Sequence, residues 1–260
     1  MTEPQQPLQD LWTTVDDSPM YARTNAAAQP DRMPVVVLVH GLVISSAYMV
    51  STALRLAALC RVYAPDLPGY GRSGKPRAMP TLAALADALA AWMDAVRIGR
   101  AHFVANSFGC QVLAEFALRH PDRVARMVFQ GPTVDPQART LWRQAIALQR
   151  NSRGEAPGLG AISRRDYRAA GLRRAWHTIR LALDDRIEDK LPRIACPLLV
   201  VRGTRDPVVP HRWAEQVARL APQGRLREMP DAPHTINYSR PAEFVDLIAP
   251  FLGLHRRTAP

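Results

Sequence analysis

Three side chains in this 260-residue chain, Ser107, Asp206 and His234, have the types and local settings of a nucleophile, its base and the base's anchor. Ser107 lies in Phe103-Val104-Ala105-Asn106-Ser107-Phe108-Gly109, a strand-like run that passes straight into a helical pattern. A serine on so sharp a strand-to-helix turn needs small residues two positions before and two after, because a larger Cβ would strike the neighbouring backbone. Ala105 and Gly109 supply them. The turn would lift the hydroxyl above the sheet edge at a helix N-terminus, where free N–H groups stabilise negative charge. The plain alternative is an ordinary N-cap serine. A serine hydroxyl is a weak nucleophile unless a base takes its proton, and an imidazole base needs a carboxylate to fix its tautomer. Asp206 follows Val200-Val201-Arg202-Gly203, and His234 follows Met229-Pro230, each in a loop after a strand-like run.

These residues need a scaffold that gathers strand ends. Val35-Val36-Val37-Leu38-Val39 is a short β-branched run of the kind buried on both faces, and 61–64, 102–105, 126–129 and 197–201 read alike. Residues 226–229 make a weaker outer strand. Between the strands, Leu82, Leu85, Leu89, Trp92, Met93 and Val96 recur on one helical face, and Val112 to Leu118 form another helix after the Ser107 turn. Strand alternating with helix predicts a parallel sheet covered on both faces, since parallel neighbours need a long crossover. Such sheets hold ligands beyond the carboxyl ends of their strands, where all three residues would fall. The alternation stops over residues 133–192, which carry helical periods, a Gly/Pro-rich break from Gly154 to Gly160 and many arginines. This stretch is expected to be a helical insertion between two strands.

With these segments in hand, the chain resembles the α/β-hydrolase fold superfamily from about Val35 to Leu252. The resemblance rests on Val39-His40-Gly41-Leu42, on Ala64-Pro65-Asp66-Leu67-Pro68-Gly69-Tyr70-Gly71-Arg72-Ser73, on the Ser107 turn, and on the Asp206 and His234 loops in the order Ser, Asp, His. It implies a mostly parallel eight-stranded α/β sheet with helices on both faces. Residues 1–132 and 193–260 would form the core, with residues 1–30 a partly disordered arm, and residues 133–192 a cap over the active site. It also implies an oxyanion hole made by the N–H groups of Leu42 and Phe108, and a structural Asp66. The chain departs from the usual pattern at Ala105, where glycine is commoner, and at Cys110, which reads as a small buried filler. Asp135 is an alternative position for the acid; the strand-loop setting favours Asp206.

The reading that follows is a serine hydrolase cleaving a small carboxylic ester through an acyl-enzyme, without metal or other cofactor. The Asn106-Ser107-Phe108-Gly109 turn is also similar to that of the meta-cleavage product hydrolases, which cut carbon–carbon bonds in acidic dienols. A glycine-rich segment usual there after His-Gly is replaced by Leu42-Val43-Ile44-Ser45-Ser46. A non-catalytic ligand-binding protein of the same fold is the third reading, disfavoured by a complete Ser107, Asp206, His234 set. Asn106, Trp142, Tyr167 and Trp176 are candidate substrate contacts.

Composition narrows the partners. With 47% hydrophobic and 22% charged residues the chain can bury a large core. Its net charge is +11, and of 34 basic residues only Lys75 and Lys190 are lysines, a bias that points to genome composition. Ten arginines and two acids lie between Arg139 and Arg180. Most are expected on a solvated face; one or two turned inward would attract an acidic substrate. No nucleic-acid motif is present. The polar, Pro/Gln-rich first thirty residues lack the order of a signal peptide, and no apolar run approaches the roughly 18 residues that span a bilayer. Cys60, Cys110 and Cys196 are widely spaced and read as buried reduced thiols, so a cytoplasmic protein with no membrane contact is expected. The oligomeric state is not legible.

Overall fold

The computed structural model describes residues 8–255. Its strands are β1 (Gln9–Val15), β2 (Ser18–Thr24), β3 (Val35–Val39), β4 (Arg61–Pro65), β5 (Ala101–Asn106), β6 (Val124–Gln130), β7 (Leu198–Gly203) and β8 (Gly224–Met229). They form one sheet in the order β1-β2-β4-β3-β5-β6-β7-β8, in which β3 to β8 run parallel and β1 and β2 antiparallel. The helices are α1 (Val50–Leu56), α2 (Leu82–Ala95), α3 (Phe108–Arg119), α4 (Leu141–Ser152), α5 (Leu159–Ala170), α6 (Leu172–Asp184), α7 (Ile187–Lys190), α8 (His211–Leu220), α9 (Ile236–Ser239) and α10 (Pro241–Leu252).

Strand periodicity divides the core between the two faces of the sheet. Val37, Val39 and Phe103 pack with α2, α3 and α8 on one face, whereas Val36, Leu38 and Val104 pack with α1 and α10 on the other. The start of α2 illustrates local control. The Thr81 side chain accepts the Ala84 N–H at 3.1 Å as an N-cap, and Leu82, Leu85, Leu89, Trp92 and Met93 then fall on the buried face.

The six strands expected from the sequence are all present, but the N-terminal arm needs correction. Residues 9–24 are a hairpin on the edge of the sheet, paired through β2 to β4; residues 1–7 lie outside the described ones. The hairpin is hard to read because β1 is largely exposed and carries polar residues on its outer face. Its turn was the available signal: Asp16 and Asp17 sit at φ 46° and 60°, the pair of left-handed residues a two-residue hairpin turn demands.

Two features of this topology prepare a site. The chain passes from β3 to β4 on one side and then to β5 on the other, so a crevice opens between the carboxyl ends of β3 and β5. Between β6 and β7 the chain forms α4 to α7 and no strand. Three contacts tie this helical segment to the loops after β3 and β4. Asp166 accepts the Ser45 N–H at 2.8 Å and its hydroxyl at 2.6 Å, Thr178 Oγ1 lies 2.7 Å from the Tyr70 hydroxyl, and Arg174 Nη2 donates to Pro76 O at 3.0 Å. Within the segment Arg139 pairs with Glu188 at 2.7 Å.

Candidate active site

Ser107 stands alone between β5 and α3, at φ 56° and ψ −122°. A non-glycine residue in this region is strained, and it is held there because strand and helix leave a single residue in which to reverse direction. Gly109, in the first turn of α3, shows how tight the approach is. A Cβ built there would lie 2.6 Å from His40 O and 2.7 Å from Val39 O, so only glycine lets the helix start directly against β3. Phe108 is the first residue of α3 and is buried, and its N–H is one of the four at a helix start that have no acceptor within the helix.

Ser107 and His234 open into one cavity of about 470 Å³, whose walls include Gly41, Leu42, Tyr48, Asn106, Leu148, Tyr167 and residues 155–160. A shallower depression of about 290 Å³ beside β1 and the end of α2 holds no serine, cysteine or histidine. His234 Nδ1 lies 2.8 Å from Asp206 Oδ2, with both side chains almost fully buried. Asp206 Oδ1 in turn accepts the N–H groups of Val208 and Val209 at 2.8 and 3.0 Å. The carboxylate is thereby fixed against β7, and Nδ1 must carry the proton it donates, which leaves Nε2 as a base. Nε2 is buried and has no hydrogen-bond partner among the described residues. Burial alone would lower the His234 pKa; the charge and hydrogen bond of Asp206, with a smaller contribution from Glu155, outweigh it and raise the pKa above its ordinary value. Gly131, at φ 59°, gives the ring room: a Cβ there would lie 2.8 Å from His234 Cε1.

The alternative acid, Asp135, is otherwise engaged. It is buried, forms a two-point ion pair with Arg212, and accepts the Gln137 N–H at 3.0 Å. Asp66 accepts the N–H groups of Ser46 at 2.6 Å and Arg72 at 2.8 Å, and so ties down two loops. His40 accepts the Leu67 N–H on Nε2 at 2.9 Å, and burial lowers its pKa, which keeps it neutral. Cys110 is buried behind the turn, Cys60 is likewise buried and Cys196 half-buried; burial pushes all three thiols up. Among the described residues no three His, Cys, Asp or Glu side chains come together as a metal would require, and no helix is long and apolar enough to cross a membrane.

Of the four candidate substrate contacts, the structure brings two to the cavity. Asn106 and Tyr167 line it; Trp142 and Trp176 are 59% and 51% exposed on the outer faces of α4 and α6 and do not. Helical spacing alone could not tell an inward face from an outward one. The Asn106 amide, moreover, is committed to neighbours. Its Oδ1 accepts the Tyr48 hydroxyl at 2.8 Å, and its Nδ2 donates to Gln130 Oε1 at 2.7 Å and to His234 O at 3.4 Å. Tyr48 also receives the Gly41 N–H at 2.8 Å, and Gln130 Nε2 donates to His234 O. One buried polar network thus joins the loop after β3, the Ser107 turn and the His234 loop. Sequence reasoning missed Tyr48, Gln130, Asn151 and Glu155. The only available signal was the Gly154–Gly160 break, which forms part of the cavity wall.

Of the ten arginines from Arg139 to Arg180, Arg174 turns inward and is buried, but it donates to Pro76 O and stays off the cavity wall. Among the described residues no arginine or lysine lines the cavity, and Arg143, Arg150, Arg153, Arg164, Arg165, Arg168, Arg173 and Arg180 are exposed.

Comparison with known proteins identifies the family and the fold. A sequence model described as the alpha/beta hydrolase family matches residues 36–247. A protein of Caulobacter sp. (strain K31) that carries the name carbamate hydrolase RutD is 27% identical, over 92% of this chain and 97% of its own. The crystal structure of a hydrolase from Pseudomonas aeruginosa PA01 superposes with a TM-score of 0.76 at 25% identity, covering 95% of this chain and 98% of that one. A thermophilic esterase from Thermogutta terrifontis gives 0.75 at 23% identity, over 94% and 98%.

Proposed function

Because the chain belongs to the alpha/beta hydrolase family, we propose that it is a serine hydrolase in which Ser107, His234 and Asp206 cleave a small carboxylic ester through an acyl-enzyme. The observation that carries this reading is Ser107, forced to φ 56° and facing the same cavity as His234, whose far nitrogen is held at 2.8 Å by Asp206. A binding protein has no use for a strained serine beside an unpartnered, carboxylate-anchored imidazole.

In the first half-reaction His234 Nε2 takes the Ser107 proton as Oγ attacks the carbonyl carbon. The oxyanion forms within reach of the Leu42 and Phe108 N–H groups, each worth about 3 kcal/mol of transition-state stabilisation in such holes. Collapse of the tetrahedral intermediate expels the alcohol, which takes the proton from His234. Water, deprotonated by the same nitrogen, then releases the acid and restores Ser107. Residues 133–192 act as the cap that closes the cavity from above. A carbamate presents the same carbonyl to the same groups, so the name carried by the Caulobacter relative fits this reading. The carbon–carbon alternative requires an acidic dienol, and among the described residues the cavity wall carries no arginine or lysine to serve as its counter-ion.

The test is a series of p-nitrophenyl esters of increasing acyl length, with one p-nitrophenyl carbamate, on wild type and Ser107→Ala. Wild type should turn over the shorter esters and the variant should lose at least about 10⁴-fold in kcat. Equal, slow hydrolysis by both proteins would sink the ester reading, and acidic dienones would be tried next.

A further inference from the structure

Asn151 and Glu155, from the end of α4 and the break that follows it, grip the loop that carries the base. Asn151 Oδ1 accepts the His234 N–H at 2.9 Å. Glu155 Oε1 accepts the Thr235 N–H at 2.9 Å and Asn151 Nδ2 at 2.5 Å; Oε2 accepts the Ser239 hydroxyl at 2.7 Å and the Thr235 hydroxyl. A carboxylate is an acceptor-only group and can take all four donors at once. The same Glu155 lines the cavity and, among the described residues, is the only acidic one that does, with no arginine or lysine on the wall to offset it.

On the ester-hydrolase reading above, we propose that Glu155 sets the charge of the substrate: the site accepts esters whose acyl arm is uncharged or cationic and discriminates against arms that end in a carboxylate. The physical reason is the repulsion between two anions against a wall built mainly of apolar side chains and backbone, which is stronger than the same pair would feel in bulk solvent. The exposed arginines of α4 to α6 do not cancel it, because solvent and salt screen charges on the outer face. Glu155 holds Thr235, the neighbour of His234, and its charge also acts on the ring that becomes imidazolium in the transition state. It is therefore a positioning and specificity residue, acting on the arm of the substrate and on the base and not on the reacting carbonyl.

The experiment compares three p-nitrophenyl esters of matched acyl length, ending in methyl, carboxylate or trimethylammonium, on wild type, Glu155→Gln and Glu155→Asp. In wild type kcat/KM should be at least about tenfold lower for the carboxylate ester than for the methyl ester. Glu155→Gln, which keeps the shape and loses the charge, should close most of that gap; Glu155→Asp, which keeps the charge and loosens the clamp, should preserve it. A wild type that prefers the carboxylate ester, a gap that persists in Glu155→Gln, or one that closes equally in Glu155→Asp overturns the proposal. Alkyl fluorophosphonates with the same three ends read Ser107 directly. If no ester is turned over but labelling keeps the charge order, the ester reading falls and this one stands. Equal labelling by all three, or none, overturns it.

Discussion

His234 receives opposing influences from its surroundings, and their balance is measurable. Burial favours the neutral ring, while Asp206 and Glu155 favour the protonated one, and the net effect raises its pKa. The base works only when neutral, so activity should rise with pH through a midpoint above the ordinary histidine value of about 6.5. Asp206→Asn removes the largest raising influence and leaves burial, so the acidic limb of the kcat/KM profile should move to lower pH. At the same time kcat should fall by roughly 10³- to 10⁴-fold, because an amide no longer selects the productive tautomer. An acidic limb that stays in place would show that another group governs it. Ser107, Asp206 and His234 could be picked out in the sequence because each follows a strand-like run in a recognisable loop. Tyr48, Gln130, Asn151 and Glu155 could not. Asn151 meets the His234 N–H across 83 positions of chain and Gln130 meets the His234 carbonyl across 104, and no local pattern encodes such pairings.

The turn between β5 and α3 is the element on which the chemistry rests, and its tolerance is small. Gly109→Ala would press a methyl against the carbonyls of Val39 and His40, so α3 must move away from β3. A loss of about 1–3 kcal/mol in stability is expected in denaturant unfolding. Activity should drop by more than the folded fraction accounts for, since the Phe108 N–H moves with the helix. Gly99→Ala, with nothing within 4 Å of the added carbon, is the matched control and should be within about 0.5 kcal/mol of wild type. If the two variants prove equally stable, the close approach of α3 to β3 is not what selects glycine. The helical segment between β6 and β7 is less legible at this scale. The period of α4 and α6 predicts helices, but it does not say which stripe faces inward, and Trp142 and Trp176 lie on the exposed stripes.

At the scale of the whole molecule, the N-terminal hairpin closes one edge of the sheet. β4 is covered by β2, and Asn25 at the hairpin's end donates to Ala57 O and Cys60 O at 3.0 Å and accepts the Val62 N–H at 2.8 Å. Deleting residues 1–24 would bare the β4 edge and its unpaired backbone groups, which invites strand pairing between molecules. Size-exclusion chromatography of the truncated chain should therefore show aggregates, and a stable, unaggregated and active product would contradict this role. The charge excess also finds its place at this scale. The arginines of α4 to α6 lie mainly on the outer surface, with Arg174 turned in to anchor on Pro76 O, while among the described residues the cavity wall has Glu155 as its one carboxylate and no arginine or lysine.

The sequence by itself determined the succession of β3 to β8 with helices between them, the family, and the three loops that carry Ser107, Asp206 and His234. These depend on periodicity, small residues at a turn and short motifs, all of which act over a few neighbours in the chain. Only the tertiary structure decided which faces of α4 to α6 look inward, that Asp135 is taken by Arg212, and that the cavity wall carries a carboxylate and, among the described residues, no arginine or lysine although the chain carries +11. Those outcomes depend on contacts between residues distant in sequence, where packing and desolvation, and not the count of charges, choose the partner.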